Sequence, residues 1–238
     1  MNLPKPKKIN AEKYVAGLSI FKQKAAKIKL SANESALGAS PKAINAFERA
    51  NNKISNYPES NSDTLRNTIS KKYNIDPDRI ICGAGSDQIF DFICKLFLEQ
   101  GDEVIVTEFG FIMHRIYASL HGAKVLMAKE KNYKASVDEI LNKVSDKTKI
   151  VFIANPNNPT GTYLSKEEML NLRTKLRSNI LLVIDDAYFE FMKQKDFSSG
   201  LDLFSNYPNV LITRTFSKIY GLAGLRIGWG YSSKVIIR

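Results

Sequence analysis

The chain has 238 residues, 44% of them hydrophobic, enough to bury a substantial core in one large domain with appendages. Its formal net charge of +11 invites a nucleic-acid partner, but the lysines are spread over expected helix surfaces, and the dense cluster Lys22, Lys24, Lys27 and Lys29 has no nucleic-acid module around it. Secretion and membrane insertion are equally poor fits: Glu12, Lys13, Lys22 and Lys24 interrupt the N-terminus before any apolar run develops, and Ile89 to Leu98, the longest such stretch, contains Asp91 and Lys95 and falls far short of the ~20 residues of a span.

In chain order, residues 1–30 carry no strong periodicity and read as an arm, leaving 31–238 as the folded domain. Asn51 to Ser62, rich in Asn, Ser and Pro, reads as loop. From Ile80 onward short apolar runs alternate with helical patterns, the signature of an α/β fold with a mainly parallel sheet and helices on both faces. The expected strands are Ile80 to Cys82, Glu103 to Val106, Lys124 to Met127, Ile150 to Ala154, Leu181 to Asp185 and Val210 to Thr213, with Ile227 to Gly230 as a further candidate. Ile89, Phe90, Ile93, Leu96 and Phe97 recur at helical spacing, and Gly101 follows where a helix should stop. Ser165 with Glu168 makes a capping-box start for a second helix reaching about Arg177. Cys82 and Cys94 form neither a disulfide framework nor a zinc spacing, so a reducing cytoplasm is the expected compartment.

Ligands of open α/β sheets sit beyond the carboxyl ends of the strands, so the polar residues that follow each strand are the candidates for chemistry. Gly83-Ala84-Gly85-Ser86-Asp87 opens the Ile89 helix, where glycines permit close backbone approach and free N–H groups meet an anion. The same pattern also serves as a plain tight turn. Asn155-Pro156-Asn157-Asn158-Pro159-Thr160-Gly161 is a rigid loop with more amides than a turn requires. Leu181 to Ile184 delivers Asp185, Asp186 and Tyr188 to one crevice; the paired acids also suggest a magnesium site, but no histidine cluster supports one, and His114 and His121 read as surface or packing residues. Arg214-Thr215-Phe216-Ser217-Lys218, with Arg226 just downstream, places an amine among hydroxyls and a guanidinium, a setting suited to a bound phosphate.

Together these loops resemble the fold-type I enzymes that use pyridoxal 5'-phosphate (PLP), specifically the class I/II aminotransferases of the histidinol-phosphate group. The resemblance covers nearly the whole chain, from Leu30-Ser31-Ala32-Asn33-Glu34 and Gly38-Ala39-Ser40-Pro41 through Asn56-Tyr57-Pro58-Glu59 to the four loops in the family's order. It implies that Lys218 forms the Schiff base with PLP and acts as catalytic base. Asp185 is implied to pair with the pyridine nitrogen, and Tyr188 and Asn158 to hydrogen-bond the ring's phenolic oxygen. Phe111, which also reads as a core phenylalanine, is implied to stack on the ring. The phosphate falls to backbone groups of Gly85, Ser86 and Asp87, the hydroxyls of Thr215 and Ser217, and Arg226. Tyr57 matches a tyrosine that reaches a neighbour's cofactor, which implies a homodimer.

The implied reaction is transamination between histidinol phosphate, as amino donor, and 2-oxoglutarate, as 2-oxo acid acceptor. An aromatic-amino-acid transaminase or a threonine-phosphate decarboxylase would use the same cofactor kit. Two residues depart from the family pattern: Asp186 stands where glutamate is frequent, and His114 where tyrosine is common. The resemblance further implies that the family's C-terminal small domain, with the arginine that clamps substrate, is missing after Arg238. A cofactor-binding fragment without turnover is therefore the rival of another class.

Overall fold

The computed structural model describes residues 11–15, 20–21, 24–25 and 30–238, so most of the expected arm and of the Lys22 to Lys29 cluster lies outside the described residues. Seven strands form the central sheet: β1 (Ile80–Gly83), β2 (Glu103–Thr107), β3 (Lys124–Ala128), β4 (Thr148–Ala154), β5 (Leu181–Asp185), β6 (Val210–Thr215) and β7 (Gly228–Tyr231), in spatial order β1-β7-β6-β5-β4-β2-β3. Every neighbouring pair from β6 to β3 is parallel, whereas β7 runs antiparallel to both β6 and β1. The chain moves outward from β2 to β3 and then returns to β4 and proceeds the other way. The direction of winding therefore reverses between β2 and β4, which opens a crevice at their carboxyl ends.

The continuous apolar runs follow from burial on both faces of the sheet. On β5, Leu182 and Ile184 join one core with Met169, Leu172 and Phe204, while Leu181 and Val183 join the other with Ile89, Phe90 and Ile93. Strand periodicity divides one run between two helix layers. Helix α3 (Gly85–Phe97) covers β1, β6 and β7 and packs beside α4 (Ile112–Leu120). The other core takes in α5 (Val137–Asn142), α6 (Lys166–Lys175) and α7 (Gly200–Phe204).

Helix α6 begins as expected: Ser165 accepts from the Glu168 amide and the Glu168 carboxylate accepts from the Ser165 amide. It stops at Lys175 rather than Arg177, because Leu176 turns to extended backbone. Strand β6 runs two residues longer than expected, since Arg214 and Thr215 pair with Trp229 and Gly228 of β7. Two further helices stand upstream of the sheet, α1 (Pro41–Ala50) and α2 (Asp63–Tyr73), the first capped by Ser40 with a proline in its first turn. Between them the expected loop holds a single 3-10 turn, Asn51–Lys53.

Candidate functional site

A cavity of about 710 Å³ opens at the switch point, lined by the loops that follow β2, β4, β5 and β6, the first turn of α3 and the coil 31–34. A smaller pocket of about 330 Å³ between α3 and the C-terminal helix is lined mainly by Ile, Leu and Phe, so the chemistry belongs to the larger one.

Strand β5 delivers Asp185 to the floor of this cavity with only 5% of its surface exposed. Thr213 Oγ1 on β6 donates to its Oδ1 at 3.2 Å, and His114 Nε2 stands 3.7 Å from its Oδ2. His114 is itself buried, stacked on Phe152 with ring centroids 4.8 Å apart and met edge-on by Phe90 and Phe111. The packing role expected of His114 is thus correct, but it understates a side chain facing the central carboxylate. His121 instead meets Asp91 near the surface.

The next residue, Asp186, points the other way. Its Oδ2 accepts from the Gly200 amide at 2.8 Å and faces Arg214 at 3.6 Å. The Arg214 guanidinium lies 3.5 Å from the Phe189 ring centre and 4.7 Å from that of Tyr73. Burial pushes the Asp186 carboxyl up to about 7 against the pull of Arg214. The two adjacent acids therefore face different environments, and among the described residues no group of three His, Cys, Asp or Glu side chains could hold a metal ion.

Beyond β6, Ser217 and Thr215 lie against the cavity with Arg226, whose Nη1 donates to Ser217 Oγ at 3.1 Å and whose Nη2 stands 3.3 Å from Asp87 Oδ2. Arg226 has left-handed backbone, φ 51°, which turns the chain at the end of a short 3-10 turn. Gly85 suits glycine by its backbone, φ +76°, and a Cβ there would push on the Arg226 guanidinium 2.5 Å away. Ser86 and Asp87, in the first turn of α3, line the cavity, and N–H groups at a helix start have no intrahelical acceptor. The result is an anion cradle on a helix N-terminus. Burial, together with nearby Asp185, raises the Asp87 carboxyl, while Arg226 holds it down.

Next in the chain after Ser217, the Lys218 Nζ donates to the carbonyls of Ala32 and Asn33 at 3.1 and 3.4 Å and lies 5.4 Å from the Tyr188 ring centre. Tyr188 and Asn158 come together beside it. Of the three asparagines after β4, only Asn158 faces the cavity. Asn155 exchanges hydrogen bonds with the Leu164 backbone, and Asn157 donates to the Phe109 carbonyl and to Thr160, so both hold the loop in shape. Phe111 caps α4 and lines the same space. Two expected site residues stand outside this lining: Gly85, buried at the start of α3, and Tyr57, which is fully exposed.

Sequence reasoning assigned no role to Asn33, whose Nδ2 donates to Tyr188 Oη at 3.2 Å and to Asn158 Oδ1 at 3.4 Å. Its signal was present, since it lies in the quoted Leu30 to Glu34 motif. Arg115 also lines the cavity and pairs with Glu12 at 2.9 Å. Taken together, the cavity offers an amine, a buried carboxylate, an aromatic face, two polar groups side by side and an anion cradle. Those groups suit a flat, phosphorylated heterocycle carrying a basic ring nitrogen.

Comparison with known proteins agrees with that chemistry. The family model described as aminotransferase class I and II matches residues 25–238. A histidinol-phosphate aminotransferase of Pelagibacter ubique is 57% identical over 237 residues, and one of Rhodopseudomonas palustris is 45% identical over 236. These alignments take in 100% and 99% of this chain but only 66% and 65% of those proteins, so the chain spans slightly less than two thirds of their length. The crystal structure of histidinol-phosphate aminotransferase from Sinorhizobium meliloti in complex with pyridoxal-5'-phosphate superposes with a TM-score of 0.82 at 28% identity, over 87% of this chain and 56% of that one.

Proposed function

Because this chain belongs to the class I and II aminotransferase family, we propose that its switch-point cavity binds PLP and serves transamination of histidinol phosphate with 2-oxoglutarate. The observation that carries this reading is the convergence of Lys218, Asp185, Tyr188, Asn158 and the Arg226–Ser217 cradle on one cavity. The left-handed glycine at Gly85, beside the Arg226 guanidinium, fits a phosphate seated on backbone. The choice of substrate rests on the 57% identity to a histidinol-phosphate aminotransferase.

Bound PLP would supply an electrophilic aldehyde and an electron-accepting ring. The protein's part is to hold and move protons around it. Asp185, buried and fixed by Thr213, holds a proton at the ring nitrogen and keeps the ring positive. Tyr188 and Asn158 donate to the ring oxygen, and Phe111 offers an aromatic face. Lys218, released from the Ala32 and Asn33 carbonyls, would hold the aldehyde carbon through its amine, with the aldehyde oxygen leaving as water; once the substrate's own amine displaced it, the freed Lys218 amine would take the proton from the substrate's α-carbon.

Residues 31–238 form the cofactor-binding unit in this reading. The chain acts as a homodimer in which the exposed Tyr57 reaches the neighbour's cofactor. The free thiols Cys82 and Cys94 suit a reducing cytoplasm, and no helix among the described residues is long and apolar enough to cross a membrane.

The test is the visible absorption spectrum of the purified chain with added PLP, with Lys218→Ala as control and histidinol phosphate added afterwards. A band that depends on Lys218 and bleaches with histidinol phosphate is expected. A folded sample with no Lys218-dependent band would overturn the cofactor reading. A band indifferent to the substrate would restrict the chain to cofactor binding.

A further inference from the structure

We infer that Asn33 is a positioning residue that sets the hydrogen-bond polarity of Tyr188 and Asn158, turning both into donors toward one acceptor in the cavity. The inference rests on the reading of that cavity as the cofactor site and adds a residue to it. Its basis is the direction of two hydrogen bonds. Asn33 Nδ2 donates to Tyr188 Oη at 3.2 Å, so the phenol accepts on that side and its own proton is left to point elsewhere. The same nitrogen donates to Asn158 Oδ1 at 3.4 Å, so the Asn158 amide is turned with its oxygen toward Asn33 and its NH₂ away. Both Tyr188 and Asn158 line the cavity, and both free donors are available to a single oxygen there.

The opposite polarity gives a different site. If the Asn33 amide were turned over, its oxygen would meet the Asn158 oxygen lone pair to lone pair. Asn158 could relieve this only by turning as well, which would aim its acceptor oxygen at the cavity. An acceptor there repels a negative ring oxygen, whereas two donors stabilise it. A donor turned toward both Tyr188 and Asn158 at position 33, as the Asn33 Nδ2 is, therefore suits the proposed cofactor.

The backbone supports this role. Asn33 has left-handed backbone, φ 50°, a conformation that asparagine tolerates better than most residues. That twist lets one short segment act on the site from two sides. Its carbonyl, with that of Ala32, accepts from Lys218, while its side chain addresses Tyr188 and Asn158. The contacts span 125 and 155 residues of sequence, so they pin the segment to two separate strand-end loops.

The consequence is measurable as a proton affinity. With the cofactor bound, a negative ring oxygen near the Lys218 nitrogen would hold a proton there. Each donor aimed at that oxygen weakens the hold and lowers the pH at which the nitrogen releases its proton. Loss of donor polarity therefore raises that pH.

The experiment is a pH titration of the visible band in PLP-saturated protein, comparing wild type with Asn33→Gly and Asn33→Asp. Glycine and aspartate both accept left-handed backbone, so each variant changes the side chain and keeps the turn. The midpoint is expected to rise by about 0.5 to 1 pH unit in Asn33→Gly, the equivalent of one ordinary hydrogen bond. It should rise at least as far in Asn33→Asp, where two acceptors replace the donor. In a Tyr188→Phe background the same Asn33 substitutions should shift the midpoint less, because the phenol through which half the effect passes is gone. Unchanged midpoints in both Asn33 variants, with a Lys218-dependent band intact, would overturn this inference while leaving the cofactor reading standing. Absence of a Lys218-dependent band in the wild type would instead sink the cofactor reading itself. Thermal unfolding of each variant separates a shifted midpoint from a damaged fold.

Discussion

The two walls of the cavity are built in opposite ways. The strand ends, which face the cavity with Asp185 and carry Asp186, Thr213 and Arg214 behind it, are almost wholly buried, and their charges are enclosed by rings and neighbouring strands. The facing coil, 31–34, is largely exposed and holds its place through a few hydrogen bonds to Lys218, Tyr188 and Asn158. A buried charge must be fixed in advance, because removing its partner leaves it stranded in low dielectric. A coil that only orients hydroxyl and amide groups can work at the edge of solvent. Substitutions in the first wall should therefore damage folding, and those in the second should alter proton affinities with little loss of stability.

The largest effect is expected from Arg214→Met. It keeps an apolar stem against Phe189 and Tyr73 but leaves the Asp186 carboxylate without its cation. Breaking such a buried pair costs about 3–5 kcal/mol, read as a fall in urea midpoint at pH 8. A loss below about 1 kcal/mol would contradict the contrast between the walls. Gly228→Ala comes next. Its Cβ would lie 2.4 Å from the Gly85 carbonyl carbon and the Ser86 nitrogen, backbone atoms at the start of α3 that cannot swing aside. An overpacking cost of about 1–3 kcal/mol is expected, with weaker PLP binding because the anion cradle moves with α3.

Asp186→Asn sharpens the comparison through pH. In the folded protein the Asp186 carboxyl titrates at about 7, above its ordinary value of 3.8. Between these two values the folded state keeps a proton that the unfolded state has released. Stability contributed by this group is thus present at acid pH and lost as pH rises from about 4 through 7. The amide removes that dependence, so the variant's urea midpoint should fall less steeply over this window than the wild type's. Parallel pH profiles for the two proteins would show that Asp186 titrates normally.

How much of this was legible in the sequence follows from where each signal resides. Strand β5 could be read to the residue because a run buried on both faces ends abruptly in two acids. Helix α6 announced its start through Ser165 and Glu168. The helices Pro41–Ala50 and Asp63–Tyr73 went unread: the first carries a start at Ser40-Pro41 and Ile44 with Phe47 at helical spacing but buries no residue, and the second, mostly polar, buries only Ile69. The ends of β6 depend on a strand that pairs with it from downstream, which no local pattern records. Within the site, the strand-end residues were legible because loop order carries them. The facing of His114 toward Asp185 and the bonds from Asn33 were not, because they join residues far apart in sequence.

The smallest effect tests whether stability and site chemistry separate as the two walls imply. Ser165 caps α6 by accepting from the Glu168 amide, and neither residue lines the cavity. Ser165→Ala removes that acceptor and leaves an amide at the helix start unpaired, at a cost of about 1 kcal/mol. The capping box is reciprocal, so the Glu168 carboxylate, which also holds Lys134 at 2.8 Å, retains part of the interaction. The urea midpoint should drop accordingly, while the pH midpoint of the Lys218-dependent band stays at the wild-type value. If that midpoint moved with a loss of stability so remote from the cavity, band shifts in the Asn33 variants could no longer be assigned to local polarity, and the distinction between the two walls would fail.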